Sequence, residues 1–244
     1  MVVKVDHIHL DTIPSTNTYA KEKCKTFDPE AITCITADEQ TAGRGRFERK
    51  WLSPKGTNIY LTFFFHEEKK PMVPNHLAQI LSLSMTSMLQ KLGLAPHIKW
   101  PNDVLVSGKK IAGILCETID LGPSFGVVLG TGININMTKE TLDQIDQPAT
   151  SLLVELDQPQ DKELLTHQLE TLFLEDYRHY KKEGFHPFYL RYDALLTHKG
   201  KPITLDQNGT MISGTLHSLN PDGRLNIQLE NGEIHTVISG EIKK

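Results

Sequence analysis

Apolar positions along this chain change their spacing several times, and each change marks a different kind of element. Between Pro74 and Leu92, the residues Leu77, Ile80, Leu81, Met88, Leu89 and Leu92 recur at helical intervals with Ser84 among them. That period predicts an amphipathic helix packed on a sheet. Leu165, Leu169, Leu172, Phe173, Tyr177 and Tyr180 repeat the pattern within residues 161–183 and predict a second helix. Ile98–Trp100, Val104–Val106, Ile111–Thr118 and Phe125–Ile133 read instead as four strands in quick succession, with Ser107-Gly108 as a tight turn between the second and third. Ala31–Thr36 reads as a short buried strand, and Thr57–Phe65, rich in Thr, Tyr and Phe, as another. The polar stretch Asp38–Trp51 between them reads as a long loop. Ser15 supplies an N-cap for a helix through Lys25, without the Glu of a capping box.

From Lys201 onward the runs become short and alternating. They are broken by Asn208-Gly209, Pro221-Asp222-Gly223 and Asn231-Gly232, hairpin signals that predict a small β-barrel of SH3-like size. The expectation is an α+β protein: residues 1–198 as a mixed, largely antiparallel sheet packed by helices, and residues 199–244 as the barrel. No internal repeat or low-complexity tract interrupts this order.

Composition narrows the function. The 244 residues are 39% hydrophobic and 23% charged, with a formal net charge of −4. That balance is ordinary for a globular protein and argues against a general nucleic-acid binder. Cys24, Cys34 and Cys116 are odd in number and lack metal-type spacing, so reduced thiols of a cytoplasmic protein are expected. His7-x-His9 reads as a strand face rather than a zinc motif. No leader or membrane-length apolar run is visible.

The candidate chemistry gathers in three stretches. In Thr41-Ala42-Gly43-Arg44-Gly45-Arg46, glycines that can take positive φ alternate with guanidinium groups able to clamp an anion. Lys99-Trp100-Pro101-Asn102-Asp103 and Lys110-Ile111-Ala112-Gly113-Ile114-Leu115 read as a hairpin returning a lysine to the same place. Strand alternation lets only one of Lys109 and Lys110 face it. Gly113 marks a spot where a side chain would obstruct something crossing the strand. Ser15-Thr16-Asn17 can cap a helix and still offer donors and acceptors to a ligand. Trp51 suits core packing or stacking. Such a set fits a site that joins a carboxylate to a nucleotide phosphate. No P-loop is present, and Gly130-x-Gly132 lacks the third glycine of a dinucleotide fingerprint.

These motifs, together with Gln40 and Gly130-Thr131-Gly132-Ile133-Asn134, resemble those of biotin–protein ligases in order and spacing over residues 10–136. The resemblance implies a catalytic domain like that of class II aminoacyl-tRNA synthetases. It implies that biotin and MgATP form biotinyl-5′-AMP, and that a lysine of the biotin carboxyl carrier protein of acetyl-CoA carboxylase then takes the biotin. It places Ser15, Thr16, Asn17, Gln40, Arg44, Gly45, Arg46, Lys110 and Gly113 on biotin. It places Arg44, Arg46, Arg49, Trp51, Asn102, Asp103, Lys110 and Asn134 on ATP and the adenylate. Lys110 and Arg46 are the catalytic pair, and Asp103 is a candidate Mg²⁺ ligand. The arginine loop is expected to be mobile when empty, and Trp100 to wall the apolar slot for biotin. Some family members carry an N-terminal DNA-binding domain. A Ser-Thr-Asn motif at residue 15 leads us to expect none here, and no sequence-specific DNA binding. Association as a homodimer stays open. The alternatives are a lipoate or octanoate ligase or transferase, which shares the architecture, and a non-catalytic carrier- or RNA-binding module.

Overall fold

The fold is taken from a computed structural model that describes residues 4–68 and 74–243. Seven strands form the main sheet, in the order β1-β2-β3-β7-β6-β5-β4. They span Lys4–Ile13 (β1), Ala31–Gln40 (β2), Ile59–Glu68 (β3), Pro96–Lys99 (β4), Asp103–Val106 (β5), Lys109–Asp120 (β6) and Ser124–Ile133 (β7). Only β1 and β2 run parallel; the remaining neighbours are antiparallel. The parallel pair needs a crossover, which the helix α1, Thr16–Lys23, provides.

Strand alternation sorts the core onto two faces. Ile32, Phe63, Phe65, Val127 and Leu129 point to one face, where α2 (Pro74–Lys91) and α5 (Lys162–Glu183) cover them. Ile35, Phe64 and Val128 point to the other, where the short α1 region covers them with Ala20, Cys24, Tyr19 and Phe27. The sheet is thus sealed by helices on one side and half open on the other. The open half carries the site. Helix ends follow local chemistry: Ser15 accepts from Thr18 N at the start of α1, and Asp161 accepts from Leu164 N at 3.0 Å to cap α5. Two very short helices, α3 (Lys139–Leu142) and α4 (Leu152–Leu156), link β7 to α5.

Five more strands build an antiparallel sheet in the C-terminal part, in the order β11-β10-β9-β8-β12. They are Pro202–Gln207 (β8), Thr210–Leu219 (β9), Leu225–Gln228 (β10), Ile234–Val237 (β11) and Glu241–Lys243 (β12). Its Leu205, Leu216, Leu225, Ile227 and Val237 join the same apolar cluster as the main domain. Polar seams reinforce the junction. Gln79 Nε2 and Trp100 Nε1 both donate to Gly223 O, at 2.7 and 3.4 Å, and His76 Nε2 meets Asp222 O at 2.7 Å.

Three local expectations need correction. The strand from Ala31 does not stop at Thr36 but runs to Gln40, because β1 pairs with its polar end through Ile13↔Gln40. Backbone pairing, not apolar content, holds those residues extended. The N-terminal helix stops at Lys23, with a 3₁₀ turn at Cys24–Thr26 in place of its last turn. A further helix, α6 (His186–Leu195), opens with Pro187 in its first turn and buries Phe188 and Tyr192.

Candidate active site

The site lies on the open face, where β1 and β2 end together. Ile13 and Gln40 pair, the chain turns at Pro14, and Ser15 caps α1, so the Ser-Thr-Asn motif sits beside Gln40. Gln40 Oε1 accepts from Thr16 N at 2.9 Å, and Gln40 Nε2 donates to Ser53 Oγ at 3.1 Å. Asn17 is held from three sides. Its Nδ2 donates to Leu115 O and Glu117 Oε2, at 3.3 and 3.0 Å, while Thr62 Oγ1 donates to its Oδ1 at 2.7 Å. Ser15, Thr16 and Asn17 are all buried.

Glycines on β7 make room for this arrangement. A Cβ on Gly130 would lie 1.9 Å from Asn17 Oδ1, and one on Gly132 would lie 2.2 Å from Trp51 Nε1. Gly113 on β6 is similarly crowded by Lys110 Cε at 3.0 Å and Trp51 Cζ3 at 3.1 Å. Gly130-x-Gly132 is therefore no nucleotide fingerprint. Its two residues share one strand face and let Asn17 and the Trp51 indole lie directly on the sheet. Among the described residues, the buried Trp51 indole N–H has no hydrogen-bond partner.

The arginine loop folds back on itself. Trp51 N donates to Gly43 O at 2.9 Å, Gly45 N to Arg49 O at 2.7 Å, and Arg44 bridges Lys50. Neither Gly43 nor Gly45 takes positive φ, contrary to expectation; the left-handed residue is Phe47, at φ 54°. Gly43 is needed for a different reason: a Cβ there would come within 2.5 Å of both Trp51 O and Ser53 Oγ. Each arginine has its own partner. Arg44 Nη2 reaches Glu117 Oε2 at 3.2 Å. Arg46 Nη1 donates to Asn102 Oδ1 at 3.1 Å and to Gly240 O at 3.2 Å. Burial pulls the Arg46 guanidinium below its usual value, against the nearby charges of Asp103 and Glu241. The Arg49 fork is taken by Glu241 of β12, with one N–H···O at 2.8 Å, which makes it an anchor rather than an open cation.

Lys110 Nζ lies 2.8 Å from Asp103 Oδ1 and 5.2 Å from the centroid of the Trp51 ring. Lys109 points to solvent. A register shift between Val104 and Leu105 on β5 sets which lysine turns inward. Ser15, Thr16, Asn17, Gln40, Arg44, Gly45, Arg46, Arg49, Trp51, Asn102, Asp103, Lys110 and Gly113 all line one open cleft of about 900 Å³, solvent included. Asn134 stands apart, in a smaller neighbouring space behind Trp51 and Lys110. Its amide is committed to the protein, donating to Thr150 O at 3.0 Å and accepting from Asn58 Nδ2 at 3.4 Å. Trp100 reaches the cleft but is almost wholly buried, with its N–H turned to Gly223 in the turn between β9 and β10.

The sequence leaves the role of Glu117 undecided and does not point to Glu241 or Ile242. Glu117 ties together Asn17, Lys21 and Arg44. Burial raises its carboxyl, but the hydrogen bonds from Lys21 and Asn17 and the charge of Arg44 outweigh this and leave it below the usual range. Glu241 and Ile242 close the cleft from the C-terminal sheet. Burial also raises the Glu241 carboxyl, and Arg49 and Lys243 more than reverse it.

A model of the biotin/lipoate A/B protein ligase family matches residues 10–134, just over half of the chain, and a model of the biotin protein ligase C terminal domain matches residues 198–244. The chain belongs to the biotin/lipoate A/B protein ligase family. It is 31% identical over 238 residues to the bifunctional ligase/repressor BirA of Escherichia coli, covering 96% of this chain and 72% of that protein. A biotin–[acetyl-CoA-carboxylase] ligase of Paracoccus denitrificans is 30% identical over 199 residues, 78% of this chain and 82% of that one. The structure of the biotin protein ligase from Aquifex aeolicus in complex with biotin and ATP superimposes with a TM-score of 0.83 at 28% identity, covering 98% and 97% of the two chains. Among the described residues, no helix is long and apolar enough to cross a membrane.

Proposed function

We propose that the chain is an ATP-dependent biotin–[acetyl-CoA-carboxylase] ligase. Biotin's carboxylate attacks the α-phosphorus of ATP, pyrophosphate leaves, and biotinyl-5′-AMP forms. The ε-amine of a carrier-protein lysine then attacks the anhydride carbonyl, forming an amide and releasing AMP. The observation that carries this reading is the convergence of Arg44, Arg46 and Lys110 beside the Thr16–Asn17–Gln40 cluster in one cleft. The cluster mixes donors and acceptors, as a cyclic urea requires. The three cations suit two anions that repel each other until neutralised.

Each cation rests on a partner that an anion can replace: Arg44 on Glu117, Arg46 on Asn102 and a carbonyl, Lys110 on Asp103. Swapping these for a carboxylate and phosphates aims preformed positive charge at the place where negative charge builds up during transfer. Trp51, flat on the sheet between Gly113 and Gly132, offers a face for adenine to stack on. Asn134 then holds the floor beneath Trp51 rather than the base edge.

Magnesium fits the donor set only as an ion that arrives with the phosphates. Asp103 is the carboxylate free to hold it once Lys110 turns to the substrate, since the Glu241 carboxylate is occupied by Arg49. The bound ion would neutralise phosphate charge.

The test is pyrophosphate–ATP exchange by the purified chain, followed by transfer of labelled biotin to a biotin carboxyl carrier domain. Exchange that depends on biotin, with no response to lipoate or octanoate, is the expected result. Exchange driven equally by lipoate, or none with biotin, would overturn the assignment.

A further inference from the structure

Three ligand-type side chains meet on the helix-covered face of the sheet, on the side opposite the cleft. His7 and Cys34 are direct partners in the parallel register of β1 and β2. Glu170 reaches them from α5, where it occupies a buried position between Leu169 and Phe173. One ligand atom from each of the three lies within 4.8 Å of the others, and His7 Nε2 is 3.0 Å from Glu170 Oε2. Cys34 is 1% and Glu170 7% exposed, whereas His7 faces solvent, so the group has a closed inner wall and an open door. Among the described residues, the ion pair of Glu170 is with His7 alone. The catalytic reading uses none of these three residues.

We propose that His7, Cys34 and Glu170 form a zinc site with three protein ligands and a fourth position left to water. A thiolate, an imidazole and a carboxylate make a borderline-soft donor set, which suits zinc and does not suit magnesium or calcium. Ligands around a tetrahedral zinc, at about 2.0–2.3 Å from the metal, stand roughly 3.3–3.8 Å apart. The His7–Glu170 separation of 3.0 Å lies just below that range and all three ligand atoms are within 4.8 Å, so small side-chain adjustments, led by the exposed His7 ring, would bring them onto one ion. Burial, then the neighbouring Glu170, pushes the Cys34 thiol above its usual value. On binding, the S–H bond gives way to Zn–S, the proton leaves to solvent, and His7 binds as the neutral ring.

Sequence spacing hides the set, because strand pairing and a helix crossing, not a local motif, bring it together. Such an ion would fasten edge strand β1 to β2 and α5. Ligand donors spread over three elements should therefore stabilise the folded state in proportion to zinc occupancy. The cleft residues at the far end of β1 would be untouched.

The experiment uses the reduced, metal-stripped full chain. Zinc is titrated against a chromophoric chelator, Co²⁺ serves as a spectroscopic probe, and Mg²⁺ is the control ion. One zinc per chain is expected, with a thiolate-to-cobalt charge-transfer band and tetrahedral ligand-field bands. Cys34→Ser should abolish the charge-transfer band, and Cys24→Ser and Cys116→Ser should retain it. His7→Ala should weaken zinc binding by more than the roughly 10–100-fold lost when an outer-shell partner is removed. Zinc should raise the Tm of the wild type but not of Cys34→Ser, with circular dichroism verifying that each variant is folded. If Cys34→Ser does not fold, the exposed His7 position carries the test by itself. The proposal fails if no zinc binds, if cobalt shows no thiolate band, or if Cys34→Ser and His7→Ala bind zinc as the wild type does.

Discussion

Gly130→Ala tests the claim that a missing side chain, rather than a nucleotide motif, shapes the biotin end of the cleft. The new methyl would sit 1.9 Å from Asn17 Oδ1, well inside contact distance, and β7 is too deep in the sheet to retreat. Asn17 must swing away and give up its bonds to Leu115 O, Glu117 and Thr62. Three bonds at about 1 kcal/mol each make a loss of about 3 kcal/mol. Because the cleft is open to water, part of this is recovered by solvation, so the expected destabilisation is about 2–3 kcal/mol. The measurement is a double-mutant cycle by urea denaturation on Gly130→Ala, Asn17→Ala and the pair. In the Asn17→Ala background, the alanine at 130 should cost under about 1 kcal/mol, leaving a coupling near 2 kcal/mol. Calorimetry should show biotin binding weakened alike in both single variants and no further in the double. Additive stabilities, or normal biotin binding by Gly130→Ala, would refute the reasoning.

Further outcomes follow from the other contacts. Lys110→Ala should slow adenylation by about 2–4 kcal/mol, or thirty-fold to nearly a thousand-fold, while Lys109→Ala stays close to wild type; exchanged phenotypes would reverse the assignment of the inward lysine. Arg46→Gly removes the guanidinium that ties the loop to Asn102 and Gly240, so it should still form biotinyl-AMP but release it early and label bystander lysines, as shown by release of labelled adenylate and a biotin blot. Complete loss of adenylation would instead make the loop part of the chemistry. His76 titrates below its ordinary value of 6.5 because it is buried, so the unfolded chain binds a proton that the folded chain refuses. Stability from this residue is present above pH 6.5 and declines as pH falls from there towards the folded-state value. His76→Gln should flatten that part of the Tm–pH curve; an unchanged slope would count against it.

Where a segment buries one clean face, its period was legible. The helices α2 and α5 announce themselves in apolar spacing, and β3 and β7, buried on both faces, announce themselves as runs of β-prone residues. Edge strand β1 does not, since it is half exposed and its polar residues are held by pairing with β2 alone. The polar end of β2 looked like loop for the same reason. At the site, the Arg44–Arg46 and Lys110 cations were visible as local motifs. Glu117 was not, because strand parity cannot say which of several cations a carboxylate will meet. Gly130 and Gly132 carried a readable signal, two glycines on one face of a strand, which points to something large lying across that face. Gly240 and Glu241 carried none, since only the docking of a distant sheet brings them to the loop.

That docking sets an order in time during synthesis. The last strand of the main sheet ends at Ile133, whereas the partners of Arg46 and Arg49 are Gly240 and Glu241, and 240 − 133 leaves 107 residues still to be made. At about 5–20 residues per second, that interval lasts roughly 5–20 s. Throughout it the nascent chain has its biotin-facing strands but no tether for its arginine loop. The adenylate pocket is thus finished only once the C-terminal sheet has been made, and a chain interrupted before Gly240 lacks the partners of its arginine loop.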